Sequence, residues 1–267
     1  MTMSQILQGK RAVVFGAGGS IGAAVSKEFA AEGAEVFLSG RTTSKVDEVM
    51  KQIAEGGGRA HAATVNALDD TAVNQYVDGI AKAGSIDIAF NAVGPLAHEY
   101  GNGKNAVDLP IEEFMVPLTT VLKSQFITAR AAARHMVKQR SGVIIFLTGS
   151  PARGHVEGVT AIGTAFGAIE TLMENLAVEV SPAGVRVVCL RTTANIDSRT
   201  IQQTADALAG KMSGTKDQMI ARMSSLNLLR VPASINDTAK TAVLLASDRA
   251  RMMTGTTVNS TAGAAAD

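Results

Sequence analysis

The stretch that decides the fold of this chain reads Arg11-Ala12-Val13-Val14-Phe15-Gly16-Ala17-Gly18-Gly19-Ser20-Ile21-Gly22. Its first part is a short apolar, β-branched run typical of a buried strand, and residues 21–31 have the apolar spacing of a helix that stops before Gly33. A glycine-rich turn between a strand and a helix brings backbone N–H groups and a helix N-terminus together, where they can hold a pyrophosphate. The alternative is a turn that binds nothing. The position of the turn favours nucleotide binding.

Short apolar runs and longer helical stretches alternate along the rest of the chain. The further predicted strands are residues 34–39, 60–65, 86–90, 143–147, 185–190 and 256–259. The further predicted helices are residues 45–54, 71–83, 111–139, bent near Pro117, and 159–180. Strict alternation predicts an α/β fold of the Rossmann type, a doubly wound parallel sheet of about seven strands flanked by helices.

The chain is predicted to form a single domain, residues 1–267, because no linker-like change of composition and no internal repeat occurs in it. Residues 198–229 are polar and rich in Met and Ser, with helical spacing only in patches. We interpret this segment as a lid over a cleft.

Composition excludes several classes of protein. A hydrophobic content of 46% and a formal net charge of +1 argue against disorder, and no basic stripe interleaved with aromatic residues favours a nucleic-acid partner. Cys189 is the only cysteine, so no internal disulfide can form. The first ten residues lack the pattern of a signal peptide, and no apolar run is long enough to span a membrane. We expect a cytoplasmic protein without membrane contact.

The glycine-rich turn, the alternation and the length together resemble the short-chain dehydrogenase/reductase family, from near residue 8 to the C-terminus. Classical members have glycine at the positions of Gly16, Ser20 and Gly22, so this chain departs at Ser20. It does satisfy the Gly-x-x-Gly-x-x-Gly spacing of the extended branch, through Gly16, Gly19 and Gly22, although its length suits the classical branch.

Further landmarks of the family follow in order. The segment 87–94 is similar to the Asn-Asn-Ala-Gly segment that closes the fourth strand, with Asn91 and Gly94 kept. The segments 230–232 and 244–248 look like the family's C-terminal helix, and Thr254-Gly255 leads into the last strand.

The resemblance implies a nicotinamide dinucleotide, and the residues after the second strand favour NADP(H) over NAD(H). No acidic residue for a ribose 2′-hydroxyl occurs in residues 39–44, whereas Arg41 can meet a 2′-phosphate. The alternative for Arg41 is a solvated loop charge. Asn66 stands where the family usually has an Asp near the adenine amino group. The predicted cofactor-binding residues are Gly16, Gly18, Gly19, Ser20, Ile21, Gly22, Arg41, Asn66, Ala67, Asn91, Ala92, Val93, Gly94 and Thr148.

The catalytic residues of the family are not found at their expected positions. Family enzymes use a Tyr as general acid/base, a Lys four residues later that lowers the pKa of this Tyr, a Ser and an Asn. The Tyr position falls at Ile162 and the Lys position at Phe166. The Ser position falls at Gly149, or at Ser150 after a shift of one residue, and the Asn position at Val121.

No other tyrosine replaces the missing one by its spacing. Tyr76 has no Lys four residues later, and the spacing of Tyr100 and Lys104 lies in a glycine-rich loop, where it does not put two side chains on one helical face. Ser150 and His155 remain as candidate catalytic residues, with Arg153 and Glu157 in the same segment after the fifth strand. The alternative for His155 is a surface side chain.

Two functions remain open at this point. One is an NADP(H)-dependent oxidoreductase with a non-standard active site for an unknown small carbonyl or alcohol substrate. The other is a catalytically inactive nucleotide- or ligand-binding protein with a regulatory or scaffold role. We expect no metal site, because no histidine has a ligand partner at useful spacing. The resemblance also implies a homo-oligomer, dimer or tetramer, formed through residues 111–139 and 159–180. The small residues there alternatively pack only against their own sheet.

Overall fold

A computed structural model describes residues 5–154, 156–211 and 215–265, with no account of the side chains of residues 207–211. Its centre is a parallel sheet of 7 strands in the order β3-β2-β1-β4-β5-β6-β7. The strands are β1 Arg11–Phe15, β2 Glu35–Gly40, β3 Arg59–Thr64, β4 Ile88–Asn91, β5 Gly142–Gly149, β6 Val185–Thr192 and β7 Thr256–Ser260. All seven predicted strands are present, and the order reverses between β1 and β4, as in a doubly wound sheet.

Nine α-helices lie within the described residues. They are α1 Ser20–Ala31, α2 Thr43–Glu55, α3 Asp70–Lys82, α4 Ile111–Pro117, α5 Lys123–Gln139, α6 Thr160–Val180, α7 Arg199–Lys211, α8 Lys216–Ser225 and α9 Ile235–Ala246. They cover both faces of the sheet. One apolar layer joins the sheet to α3, α5 and α6, and the other joins it to α1, α2 and α9.

The predicted helix 111–139 is interrupted rather than bent. α4 ends at Pro117, a π-helical turn follows at Leu118–Leu122, and α5 begins at Lys123. Proline has no N–H to continue the hydrogen-bond ladder, and a π-helical turn absorbs the resulting change of register. The interruption buries Val121 against the core.

The segment 198–229 is more regular than the sequence pattern indicates. It contains α7 and α8, although residues 212–214 between them lie outside the described part of the chain. Thr215 and Gln218 form a capping box at the start of α8. This pair of residues marks the start of a helix that the spacing of apolar residues does not predict. The landmark at residues 230–232 precedes α9 instead of belonging to it, and Arg230 has a left-handed φ of 54°.

Strands β5 and β6 extend past their predicted ends by two residues each, to Gly149 and Thr192. All strands are parallel, so their carboxyl ends meet at one edge of the sheet. Open α/β sheets bind ligands at this edge.

Candidate functional site

The turn after β1 has a backbone that admits only glycine at two positions. Gly16 has a φ of 75°, and a Cβ there would lie 2.9 Å from the carbonyl carbon of Ala92. A Cβ on Gly22 would lie 2.2 Å from the Gly16 oxygen, far inside van der Waals contact. A Cβ on Gly19 would lie 3.3 Å from the same oxygen, a distance that small shifts accommodate. The sequence spacing of Gly16 and Gly22 therefore reflects close packing of the loop against α1 and β4.

The N-terminus of α1 receives no side-chain cap. Gly19 is the capping residue, and the helix begins at Ser20. The first N–H groups of a helix have no partner within the helix, and they carry a partial positive charge. This geometry suits an anion such as a pyrophosphate, and a ligand atom rather than a side chain would satisfy these groups.

The hydroxyl of Ser20 links this loop to the segment after β6. Its Oγ accepts a hydrogen bond of 3.1 Å from the backbone N–H of Arg199, the first residue of α7. The departure from the family's glycine at this position thus has a structural consequence. Ser20 holds the start of the segment 198–229 against the predicted phosphate loop.

The residues predicted to meet the adenosine end lie at the carboxyl ends of β2 and β3. Arg41 is exposed, and it has no hydrogen bond or ion pair with the described part of the chain. Asn66 is exposed as well, and its Oδ1 accepts a hydrogen bond of 3.2 Å from Leu68 N–H. A carbonyl oxygen has a second lone pair, so this contact leaves Asn66 able to accept from a ligand. Ala67, beside it, is buried.

Asn91 has an internal role at the end of β4. Its amide nitrogen donates to Thr128 Oγ1 at 2.9 Å, and its Oδ1 accepts from Val93 N–H at 2.7 Å. Gln125 Nε2 donates to the Asn91 carbonyl at 3.1 Å. These bonds join α5 to β4 and fix the backbone of residues 91–94, which lies beside Gly16. The side chain of Asn91 therefore supports, from the interior, the backbone that lies beside Gly16.

The residues aligned with the family's catalytic positions are a glycine and apolar side chains that belong to, or pack against, one layer of the core. A Cβ on Gly149 would lie 2.9 Å from Cε2 of Phe166, so the aromatic ring occupies the space beside that glycine. Ile162 and Val121 are buried. Ser150 is half-buried, and its hydroxyl has no hydrogen bond with the described residues. His155, the other candidate, lies outside the described part of the chain.

The spacing of Tyr100 and Lys104 does not produce a catalytic pair. Lys104 Nζ donates to both carboxylate oxygens of Glu113, at 2.7 and 2.8 Å. Tyr100 is buried, and burial raises its pKa to about 12, so it stays a neutral phenol near neutral pH. A group of three or more side chains able to hold a metal ion does not occur among the described residues.

A buried ion pair near the carboxyl ends of β5 and β6 was not predicted. Glu170 of α6 and Arg191 of β6 are 1% and 2% exposed. Arg191 donates to Glu170 through Nε at 2.8 Å and through Nη2 at 2.9 Å, a bidentate contact. Thr148 Oγ1, predicted as a cofactor contact, donates to Glu170 at 3.2 Å, so this hydroxyl is engaged in the interior. Burial raises the pKa of the neighbouring Cys189 to about 12.

A sequence signal for this pair exists in retrospect. Arg191 directly follows the apolar run of residues 187–190 in β6, and Glu170 lies one helical turn after Phe166 on the same face of α6. A charged residue in a buried element requires a partner of opposite charge. Arg153, in the segment after β5, reaches the same carboxylate, with Nε donating to Glu170 Oε2 at 3.2 Å.

A cavity of about 390 Å³ lies away from these residues. It opens between α8 and the residues before α9, and its lining includes Ile196, Ile220 and Pro232. Neither the phosphate loop nor Ser150 contributes to its wall. We therefore do not assign it to the nucleotide.

Comparison with known proteins identifies the family. Residues 16–265 match the family model described as Enoyl-(Acyl carrier protein) reductase. The short-chain reductase protein NovJ of Streptomyces niveus is 30% identical over 259 residues, 93% of this chain and 91% of that protein. The 7alpha-hydroxysteroid dehydrogenase of Escherichia coli K12 is 26% identical over 250 residues, 93% of this chain and 91% of that enzyme. The chain belongs to the short-chain dehydrogenase/reductase family.

Solved structures confirm the predicted fold. NAD+-bound xylitol dehydrogenase superimposes with a TM-score of 0.86 at 24% identity, covering 94% of this chain and 97% of that one. A putative NAD(P)-dependent gluconate 5-dehydrogenase from Beutenbergia cavernae, with NADP bound at low occupancy, gives a TM-score of 0.83 at 26% identity over 98% of both chains. No helix of the described residues is long and apolar enough to cross a membrane. The relatives named here are dehydrogenases and reductases, and they support an NAD(P)-dependent oxidoreductase role only in the general sense.

Proposed function

We propose that this protein is an NADP(H)-dependent oxidoreductase that acts on a small carbonyl or alcohol substrate through a non-standard active site. The observation that carries the proposal is the phosphate loop. A Cβ at Gly16 or Gly22 would collide with backbone, and the adjoining helix N-terminus has no side-chain cap. A loop packed this closely beside a free helix end suits the pyrophosphate of a dinucleotide.

The proposed contacts of the nucleotide follow from the edge of the sheet. The loop 16–22 would hold the pyrophosphate, Arg41 the 2′-phosphate and Asn66 the adenine amino group. Arg41 has no partner among the described residues, so its guanidinium is available for a charge-assisted contact. The backbone of residues 91–94 is held in place by the Asn91 hydrogen bonds beside Gly16.

A bound nicotinamide would donate a hydride to a carbonyl substrate or accept one from an alcohol, and the chain must position the substrate and provide a route for the proton. Ile162, Phe166 and Val121 have no ionisable group, so water, Ser150 or His155 has to donate the proton to a carbonyl oxygen or accept it from an alcohol. Loss of a general acid/base typically lowers a rate by about 10² to 10⁴ and leaves the contributions of positioning. We therefore propose slow turnover.

Titration of the purified protein with NADPH and NADH, followed by fluorescence, tests the cofactor. We expect NADPH to bind at least about tenfold more tightly, because the Arg41 contact with a 2′-phosphate is charge-assisted. Arg41→Ala removes this preference, whereas Arg59→Ala, an exposed arginine at the opposite end of β3, preserves it. Failure of the wild-type protein to bind either nucleotide would overturn the proposed function.

A catalytically inactive nucleotide- or ligand-binding role is the second candidate. The contact of Phe166 with Gly149, beside the buried Ile162, favours it because no ionisable side chain stands at the positions where the family has its proton relay. Oxidation of NADPH in the presence of a panel of aldehydes and ketones separates the two candidates. Tight nucleotide binding with no turnover of any compound supports the inactive role.

We also propose a homo-oligomer formed through α5 and α6. Both helices present large apolar side chains to solvent, with Phe126 45% exposed on α5 and Val178 78% exposed on α6. Their inward faces are buried against the sheet by other residues, so these side chains are not needed for the core of a single chain.

A further inference from the structure

Arg153 is held at the carboxyl edge of the sheet by a buried carboxylate. Its Nε donates to Glu170 Oε2 at 3.2 Å, and Glu170 is 1% exposed whereas Arg153 is 55% exposed. The guanidinium therefore bridges the interior and the solvent. It stands in the segment that joins β5 to α6, which also contains Ser150.

The carboxylate of Glu170 accepts hydrogen bonds on both of its oxygens. Its Oε1 accepts from Arg191 Nε and from Thr148 Oγ1, and its Oε2 accepts from Arg191 Nη2 and from Arg153 Nε. A buried carboxylate requires such partners, and Arg191 already supplies a bidentate contact. Arg153 thus adds a second cation to an acid that the interior has already paired.

The terminal nitrogens of Arg153 have no hydrogen-bond partner within residues 5–154, 156–211 and 215–265. Attachment through Nε alone orients the planar guanidinium, and the side chain as a whole is 55% exposed, so Nη1 and Nη2 can take a ligand. A guanidinium does not lose its proton near neutral pH, so Arg153 cannot replace the missing general acid. Its chemistry is the recognition of an anion.

We infer that Arg153, positioned by Glu170, binds the carboxylate of an oxo acid or hydroxy acid substrate. This inference deepens the proposed function and rests on it. Two parallel N–H donors match the two oxygens of one carboxylate, and the bond to Glu170 lowers the entropy lost when the side chain is fixed on binding. The partly exposed ring of Phe166 would face the carbon chain of the substrate.

Paired ligands test this inference independently of turnover. The binding of pyruvate, 2-oxobutyrate and levulinate, each against its methyl ester, is measured by isothermal titration with and without NADP+. We expect the acids to bind about tenfold more tightly than the esters, the effect of a charged hydrogen-bonded contact at a partly exposed site. Arg153→Gln should reduce this preference to about twofold or less, and Arg153→Lys should restore only part of it, because a lysine lacks the fork.

Arg251→Gln is the matched control. Arg251 is exposed and precedes β7, so it lies towards the opposite edge of the sheet. The substitution Arg251→Gln should therefore leave the preference for acids over esters unchanged. Equal binding of acids and esters, absence of acid binding, or a preference that survives Arg153→Gln would overturn the inference. NADPH affinity is measured on the same samples. If the wild-type protein binds the acids through Arg153 but binds no nucleotide, the proposed function fails and the carboxylate site remains.

Discussion

The glycines of the chain differ in whether the surrounding atoms leave room for the Cβ of an alanine. A Cβ on Gly22 would lie 2.2 Å from the Gly16 oxygen, whereas a Cβ on Gly79, in the interior of α3, would meet no atom within 4 Å. The first glycine is required by packing of the phosphate loop. The second lowers helix stability without any packing reason.

Gly22→Ala should therefore impair nucleotide binding. The added methyl group forces the loop away from α1 and displaces N–H groups from the pyrophosphate, at a cost of about 1.5–3 kcal/mol, or roughly 10- to 100-fold in affinity. Titration with NADPH measures this loss. Gly79→Ala is the control, and it should retain the affinity while raising the free energy of unfolding by about 1 kcal/mol. Unchanged affinity in Gly22→Ala would contradict the role of the loop.

At the scale of elements, two contacts join segments that lie far apart in the chain. Ser20 at the start of α1 accepts from Arg199 at the start of α7, and Glu170 of α6 pairs with Arg191 of β6. The first contact connects the predicted lid to the phosphate loop. The second contact fixes α6 against β6 near the carboxyl edge of the sheet.

Ser20→Ala should loosen the start of α7. Removal of one exposed hydrogen bond costs about 0.5–1.5 kcal/mol, which corresponds to roughly two- to tenfold faster amide exchange at Arg199. Hydrogen exchange followed by NMR measures it. Ser44→Ala serves as the control, because Ser44 is exposed and its hydroxyl has no hydrogen bond with the described residues. Equal exchange at Arg199 in both variants would show that the Ser20 hydroxyl does not hold the segment.

Glu170→Gln should destabilise the fold. The variant removes the negative charge from a buried pair, and such changes typically cost about 3–5 kcal/mol because the remaining charge loses its partner. Denaturation with urea measures the free energy of unfolding. Glu174→Gln, one turn further along α6 and exposed, should change it by less than about 0.5 kcal/mol. A loss below about 1 kcal/mol in Glu170→Gln would show that the pair adds little to stability.

At the scale of the whole molecule, the exposed apolar side chains of α5 and α6 are the support for the proposed homo-oligomer. Phe126 lies on α5 and is 45% exposed, and Arg130 Cζ lies 5.0 Å from the centroid of its ring. A self-complementary surface formed by two helices is typical of an interface with two-fold symmetry.

Phe126→Asp should convert the proposed oligomer to smaller species. A carboxylate buried in an apolar interface without a partner is costly. Light scattering coupled to gel filtration measures the mass. Val107→Asp, at a residue 91% exposed outside α5 and α6, should keep the wild-type mass. A wild-type mass of one chain, or an oligomer that Phe126→Asp leaves intact, would exclude this interface.

Local pattern was sufficient to predict the architecture. The strand of residues 11–15, the turn at Gly16 and the helix that follows all have signals within a few residues of one another, because apolar periodicity and glycine placement are local properties. The family resemblance was likewise found from short motifs. Helix ends and the π-helical turn after Pro117 differed from prediction, since they depend on capping contacts and packing.

The sequence by itself determined the parallel sheet, the glycine-rich turn after β1 and which residues stand at the positions aligned with the family's catalytic residues. Only the tertiary structure decided that Ser20 accepts a hydrogen bond from Arg199, 179 residues away, and that Glu170 pairs with both Arg191 and Arg153. No periodicity encodes such partners, because they meet through the crossing of separate elements at the sheet edge. The physical reason is that a buried charge must be paired, and the folded chain alone fixes which side chain is close enough to pair with it.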